Sequence, residues 1–138
     1  MTQLNINVMD MIVDNLAAGM TISNALEAVY TKRKVAIPYD DKFANVSIDD
    51  LDMTKPVRNV LKRTHIYTVG DIVKFGEAND VKSIRNMGYI KCTEMMESLL
   101  NYAWDHMSIE KRDQFLIDTV TKNSGNIRNN ALQASQTR

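Results

Sequence analysis

Helical periodicity constrains this chain more than any other feature. Apolar residues recur at steps of three and four, beginning with Ile6, Met9, Val13 and Leu16. This spacing places them on one face of a helix. Only two prolines and five glycines occur in 138 residues, which favours helices over a β fold with many turns. The sequence therefore predicts an all-α protein built around a compact bundle of short helices.

The N-terminal segment, residues 1–36, is predicted to be a helical hairpin. Two amphipathic helices meet at Gly19, which suits a helix C-cap, and Thr21 or Ser23 can cap the second helix. Short helices are marginal alone in water, so the apolar face needs a partner. Two alternatives remain open, docking on the central helices or a homodimer formed through the hairpin. The residues expected at that contact are Met9, Val13, Leu16 and Leu26.

Residues 44–122 are predicted to form the main helical module, after an extended linker around Pro38. Ser47 with Asp50 and Thr68 with Asp71 have the spacing of capping boxes, and Thr54 can cap a further helix. The apolar spacing between these helix starts predicts which residues form the core. They are Leu51, Val60, Leu61, Ile66, Val69, Ile72, Leu99 and Leu100.

The C-terminal part is predicted to hold two amphipathic helices and a tail. An apolar stripe from Met96 to Met107 predicts a long helix, and a last helix begins at Ser108 with Ile109, Leu116 and Val120 facing inward. Beyond Lys122 the composition turns to Asn, Ser, Gln and Thr. Residues 123–138 are therefore predicted to be a disordered tail.

Catalysis and metal binding find little support in the sequence. The chain has one cysteine, Cys92, and two histidines, His65 and His106, which cannot supply a tetrahedral zinc set. No base is identifiable beside the thiol. We therefore expect a non-enzymatic protein without a metal or other cofactor. With no secretory signal and no apolar run of about 20 residues, the expected location is the cytoplasm, away from membranes.

Basic residues provide the clearest candidate for binding. The counts of basic and acidic residues are equal, 17 each, so any attraction to nucleic acid must be local. Lys55, Arg58 and Lys62 share one side of a predicted helix, with no acid between them. Gly88 would let the backbone approach a phosphate closely, with Lys91 just beyond it. The arrangement is similar to a helix–hairpin–helix phosphate clamp.

Three motifs carry a resemblance to a known family. Residues 48–66 read I-D-D-L-D-M-T-K-P-V-R-N-V-L-K-R-T-H-I, T-V-G-D-I follows shortly after, and R-N-M-G occupies residues 85–88. Over roughly residues 44–104 this pattern resembles the C-terminal domain of the bacterial RNA polymerase alpha subunit. The resemblance implies a bundle of short helices that meets DNA and transcription factors.

The resemblance also implies where DNA would be contacted. In that family an arginine at the start of the first full helix enters the minor groove, followed by an asparagine and an Asn-x-Gly turn. Asn59 keeps the asparagine, and Asn86 and Gly88 keep the turn. Pro56 and Ile90, however, stand where the family has arginine and lysine. Such a surface would retain phosphate contacts without groove reading.

The predicted function is therefore transcription-related binding in a bacterial cell. We expect weak contact with the DNA backbone, contact with RNA polymerase or a transcription factor, or both. The alternative is a protein-interaction adaptor or inhibitor that has lost DNA binding. The residues predicted to bind DNA are Lys55, Arg58, Asn59, Lys62, Asn86, Gly88 and Lys91.

Overall fold

Helices account for the regular structure of the chain. The computed structural model describes residues 1–137 and contains seven α-helices and three short 3-10 turns within them, with no strand. The all-α prediction is confirmed. The helices are Gln3–Ala17 (α1), Ile22–Glu27 (α2), Lys55–Arg63 (α3), Val69–Ala78 (α4), Gly88–Asp105 (α5), Ile109–Lys122 (α6) and Asn129–Gln136 (α7). The 3-10 turns are Asp41–Phe43, Ile48–Asp50 and Val81–Ser83.

The helices are divided between two compact units. The central unit is the continuous stretch Ile37–Ala103, whereas the terminal unit combines Met1–Ala36 with the residues from Trp104 onward. This division differs from the predicted boundaries, which placed α6 with the central module and left residues 1–36 alone. The difference arises because α1 packs against α2, α6 and α7.

The N-terminal hairpin finds its packing partners within the chain. Thr21 caps α2 by accepting a hydrogen bond from the Asn24 amide, and Gly19 adopts the left-handed conformation expected after a helix, with φ 97°. Val8 and Ile12 of α1 are fully buried, whereas Val13, predicted to face inward, is 46% exposed. Because α6 and α7 cover the apolar face of α1, the original reason for expecting a homodimer no longer applies.

The prediction of a disordered tail is wrong. Residues 129–136 form α7, and the preceding segment pairs with the end of the N-terminal hairpin. The Asn123 side chain is fully buried, accepts a hydrogen bond from the Lys34 amide at 2.7 Å and donates to the Lys34 carbonyl at 2.9 Å. An isolated antiparallel bridge joins Tyr30 to Ile127. The polar composition that suggested disorder supplies these hydrogen bonds.

Replacing Asn123 by Ala should lower the free energy of unfolding of the terminal unit by about 1–2 kcal/mol, because Lys34 loses two hydrogen bonds to its backbone. Denaturant unfolding followed by the fluorescence of Trp104, which lies in this unit, measures the change. Asn130→Ala, at an exposed position of α7, is the control. Equal midpoints for the two variants would show that the Asn123 hydrogen bonds contribute nothing.

The central unit has the predicted core. Leu51, Val60, Leu61, Ile66, Val69, Ile72 and Leu100 are buried, at most 5% exposed, and Leu99 is partly buried against them. On α5 the predicted stripe is buried at Leu100, Ala103 and Trp104 and departs from the prediction at its first residue. Met95 is buried while Met96 is 41% exposed, and on α6 the predicted inward residue Ile109 is 76% exposed.

Only one of the two predicted capping boxes forms. The Thr68 hydroxyl accepts from the Asp71 amide at 3.1 Å, and Asp71 accepts from the Thr68 amide at 3.2 Å. Hydrogen bonds led by the Tyr67 amide hold the pKa of Asp71 below its usual value. The Ser47 hydroxyl instead accepts from the Asp49 amide, and the Asp50 amide donates to the Ser47 carbonyl at 3.0 Å, so a 3-10 turn begins there in place of the capping box.

Candidate nucleic-acid interface

The predicted binding residues lie along α3 and around the start of α5. Lys55, Arg58, Asn59 and Lys62 belong to α3, while Asn86, Gly88 and Lys91 belong to the turn before α5 and its first turn. A carboxylate joins the two elements. Glu94 of α5 accepts hydrogen bonds from the Thr54 amide at 3.1 Å and from the Thr54 hydroxyl at 2.6 Å. The start of α3 is thereby fixed beside the second turn of α5.

Glu94 also changes the electrostatics at that point, a contribution the sequence analysis missed. Its carboxylate lies at the N-terminus of α3, where the positive end of the helix dipole attracts anions. Thr54, predicted to cap α3 with its hydroxyl, donates that hydroxyl to Glu94 instead. A phosphate approaching the amides at the start of α3 therefore meets a negative charge. Attraction depends on the basic side chains of the helix, which begin with Lys55.

The turn before α5 has the backbone geometry that its sequence indicates. Asn86 and Gly88 both adopt left-handed conformations, with φ of 67° and 64°. Met87 between them is buried, which anchors the turn to the core. The Lys91 ammonium donates to the Asn86 carbonyl at 2.9 Å. Lys91 therefore stabilises the turn and places a positive charge next to it.

The four predicted residues of α3 differ in what they contact. Lys62 forms an ion pair with Asp49 at 2.9 Å, which holds the first residues of the Ile48–Asp50 turn near α3. To bind a phosphate it would have to leave this partner. Lys55 and Arg58 have no acidic partner among residues 1–137. Asn59 is half-buried beside them. Lys55 and Arg58 are therefore the cations of α3 that remain available to an anion.

The two departures from the family pattern stand at the starts of α3 and α5. Pro56 is in the first turn of α3, and Ile90 is in the first turn of α5 with 82% of its surface exposed. Its neighbour Tyr89 is 75% exposed. From the sequence, Ile90 was distinguished only as a residue that stands where the family has lysine. The signal available in the sequence was that Tyr89 and Ile90 are adjacent large apolar residues in the first turn of a predicted helix.

Neither a metal site nor a reactive thiol emerges from the geometry. Residues 1–137 contain no group of three or more His, Cys, Asp or Glu side chains that could hold a metal ion. Burial raises the pKa of the Cys92 thiol, which opposes formation of the nucleophilic thiolate. Nor is any helix within the described residues long and apolar enough to cross a membrane.

Comparison with known proteins relates the central unit to one family. Residues 37–101 match the family described as the C-terminal domain of the bacterial RNA polymerase alpha subunit. The protein is similar to DNA-directed RNA polymerase subunit alpha of Aquifex aeolicus (strain VF5), with 34% identity over 79 residues, 54% of this chain and 25% of that protein. The corresponding subunit of Chlorokybus atmophyticus is 32% identical over 72 residues, 52% of this chain and 22% of that protein.

A third relative, the alpha subunit of Mesomycoplasma hyopneumoniae (strain 7448), is 39% identical over 61 residues, which cover 44% of this chain and 18% of the relative. The chain thus spans a quarter or less of the length of these relatives. No solved structure matched the chain significantly. The resemblance predicted from the three motifs is confirmed for residues 37–101.

Proposed function

We propose that the central unit is a non-enzymatic, transcription-related binding module of the bacterial cytoplasm. It contacts the phosphate backbone of DNA weakly, through α3 and the turn before α5. The pair Lys55 and Arg58 carries this proposal, because both lie on one side of α3 without an acidic partner among residues 1–137. The match of residues 37–101 to the alpha C-terminal domain supports the link to transcription.

The mechanism is electrostatic. Each cation that neutralises a phosphate releases a condensed counterion, so affinity falls as salt rises. Backbone contacts carry no information about base sequence. Pro56 offers no guanidinium for the minor groove, and the Glu94 carboxylate repels phosphate from the N-terminus of α3. We therefore expect dissociation constants in the nonspecific range of about 10⁻⁴–10⁻⁶ M at physiological salt.

The double variant Lys55→Ala/Arg58→Ala tests this proposal. It should weaken binding equally on two duplexes of unrelated sequence and lower the slope of log affinity against log salt by about 2, or 0.9 for each phosphate contact. Fluorescence anisotropy at low and moderate salt provides the measurement. Asn59→Ala should have a smaller effect, because no groove is entered.

Lys111→Ala/Lys122→Ala is the matched control, since it removes the same charge from exposed positions of α6 in the terminal unit. It should leave both affinity and slope unchanged. An equal loss in the two double variants would mean that net charge, not the α3 surface, governs binding. If neither duplex binds the unmodified protein at low salt, the DNA proposal is wrong.

A second candidate function is favoured by the exposed Ile90. An apolar residue at a position where the family has a cation suits a protein contact, with RNA polymerase, a transcription factor or another protein as the partner. The protein would then act as an adaptor or inhibitor without binding DNA. This candidate predicts that Ile90→Glu abolishes capture of RNA polymerase from a bacterial lysate while neither duplex binds.

A further inference from the structure

An apolar pocket opens within the central unit, between α4 and α5. The turns Asp41–Phe43 and Val81–Ser83 contribute to its walls, and its lining residues lie within Ile37–Ala103. Its volume is about 290 Å³. None of the described residues that line it is charged, and none belongs to α3. The pocket is therefore separate from the cations that the proposed phosphate contacts use.

The pocket reaches from the surface to the core. Tyr39, one of its lining residues, is 42% exposed, whereas Val69 and Ile72 of α4 are each 4% exposed. Gly76 follows Ile72 by four residues, on the same face of α4. A Cβ at Gly76 would meet only a Val81 methyl group, at 3.7 Å. The absence of a side chain at Gly76 therefore leaves part of this space open.

Size and charge restrict the ligand that this pocket can hold. An apolar cavity of roughly 150 Å³ holds one benzene molecule, so about 290 Å³ suits two fused rings, or roughly ten non-hydrogen atoms. A charged ligand would lose its water without meeting an opposite charge among the described lining residues, which is costly. The pocket therefore favours a neutral, mostly apolar small molecule.

Aromatic and sulfur-bearing side chains in the lining favour an aromatic ligand. The rings of Phe43 and Tyr102 pack edge to face, with centroids 5.3 Å apart and an interplanar angle of 86°. A ligand ring can extend this arrangement, because aromatic pairs gain stability beyond that of their buried area. Met96, a lining residue that is 41% exposed, offers a thioether, which contacts aromatic rings favourably.

We propose that this pocket binds a neutral bicyclic aromatic molecule between α4 and α5. The inference goes beyond the proposed contacts with DNA and does not depend on them. On α5, Glu94 contacts Thr54 at the start of α3, and Met96 comes two residues later, about 200° around the helix. A ligand beside Met96 is therefore expected to leave the α3 surface unchanged.

Titration of the isotope-labelled, full-length protein with 2-naphthol, followed by methyl NMR, tests the inference. Ring currents of the bound probe should shift the methyl signals of Val81 and Leu99, whereas those of Val8 and Ile12 in the terminal unit should not move. The charged analogue 2-naphthoate should bind at least about tenfold more weakly. The aliphatic probe 1-octanol should also bind more weakly than 2-naphthol. Equal binding of 2-naphthoate would overturn the assignment of a neutral ligand, and tighter binding of 1-octanol that of an aromatic one.

Gly76→Leu adds a side chain that fills the pocket, so it should weaken 2-naphthol binding by about tenfold or more without lowering the thermal midpoint. Ala78→Leu is the control, since it adds leucine at an exposed position about 200° around α4, and it should bind like the unmodified protein. Unchanged affinity in folded Gly76→Leu would overturn the inference. So would methyl signals of Val81 and Leu99 that stay in place in the unmodified protein, a result that needs no variant to fold.

Discussion

Replacing Leu61 by Ala should lower the free energy of unfolding of the central unit by about 2–5 kcal/mol, the usual cost of such a core truncation. Leu61 is fully buried near the end of α3, among the residues that α3 and α4 contribute to one core. The loss combines the transfer of apolar atoms with the cavity left behind. Denaturant-dependent hydrogen exchange of central-unit amides measures it without interference from the terminal unit.

Ile90→Ala is the matched control for that truncation, because it removes similar atoms from a residue that is 82% exposed. It should change stability by less than about 0.5 kcal/mol. The prediction for Leu61 fails if both variants exchange their amides like the unmodified protein. Such a result would mean that α3 does not bury this face in solution.

A Gly70→Ala substitution should destabilise the central unit by about 1–3 kcal/mol, since it forces overpacking against backbone. A Cβ at Gly70 would lie 2.8 Å from the Ala44 carbonyl oxygen, which also accepts the Gly70 amide hydrogen bond at 3.0 Å. The first turn of α4 and the backbone at Ala44 would have to separate. Thermal unfolding, with circular dichroism as the signal, detects the loss.

Gly76 of the same helix provides a control with the opposite sign. A Cβ there meets only a Val81 methyl group, at an ordinary contact distance of 3.7 Å. Gly76→Ala should therefore stabilise the unit by about 0.5–1 kcal/mol through its higher helix propensity. Stabilisation by both substitutions would refute the close approach at Gly70.

The central unit was predictable because its signals are local. The Thr68–Asp71 capping box spans three residues, and the core of α3 and α4 follows from apolar spacing within each helix. The same locality gave the cations of α3, whose mutual positions depend only on helix geometry. Two of these cations, Lys55 and Arg58, have no acidic partner among residues 1–137, as binding to a phosphate requires.

The terminal unit and the electrostatics of the surface depend on distant pairs. Asn123 meets Lys34 across 89 residues, and Glu94 meets Thr54 across 40. Neither pair follows from periodicity, and a single polar residue gives no sign of its partner. Composition even suggested the opposite for the C-terminal segment, since Asn and Ser are common both in disordered regions and in hydrogen-bonded turns.

The discontinuity of the terminal unit has a consequence for the order of events during synthesis. The central unit is one uninterrupted stretch, so all its contacts exist once Ala103 has left the ribosome. α1 and α2 are made before α6 and α7, yet they depend on these later helices to cover Val8 and Ile12. Throughout that interval α1 and α2 expose an apolar face, the kind of surface that chaperones hold and that aggregates when they do not. Folding of α1 and α2 therefore depends on residues that follow the whole central unit in the chain.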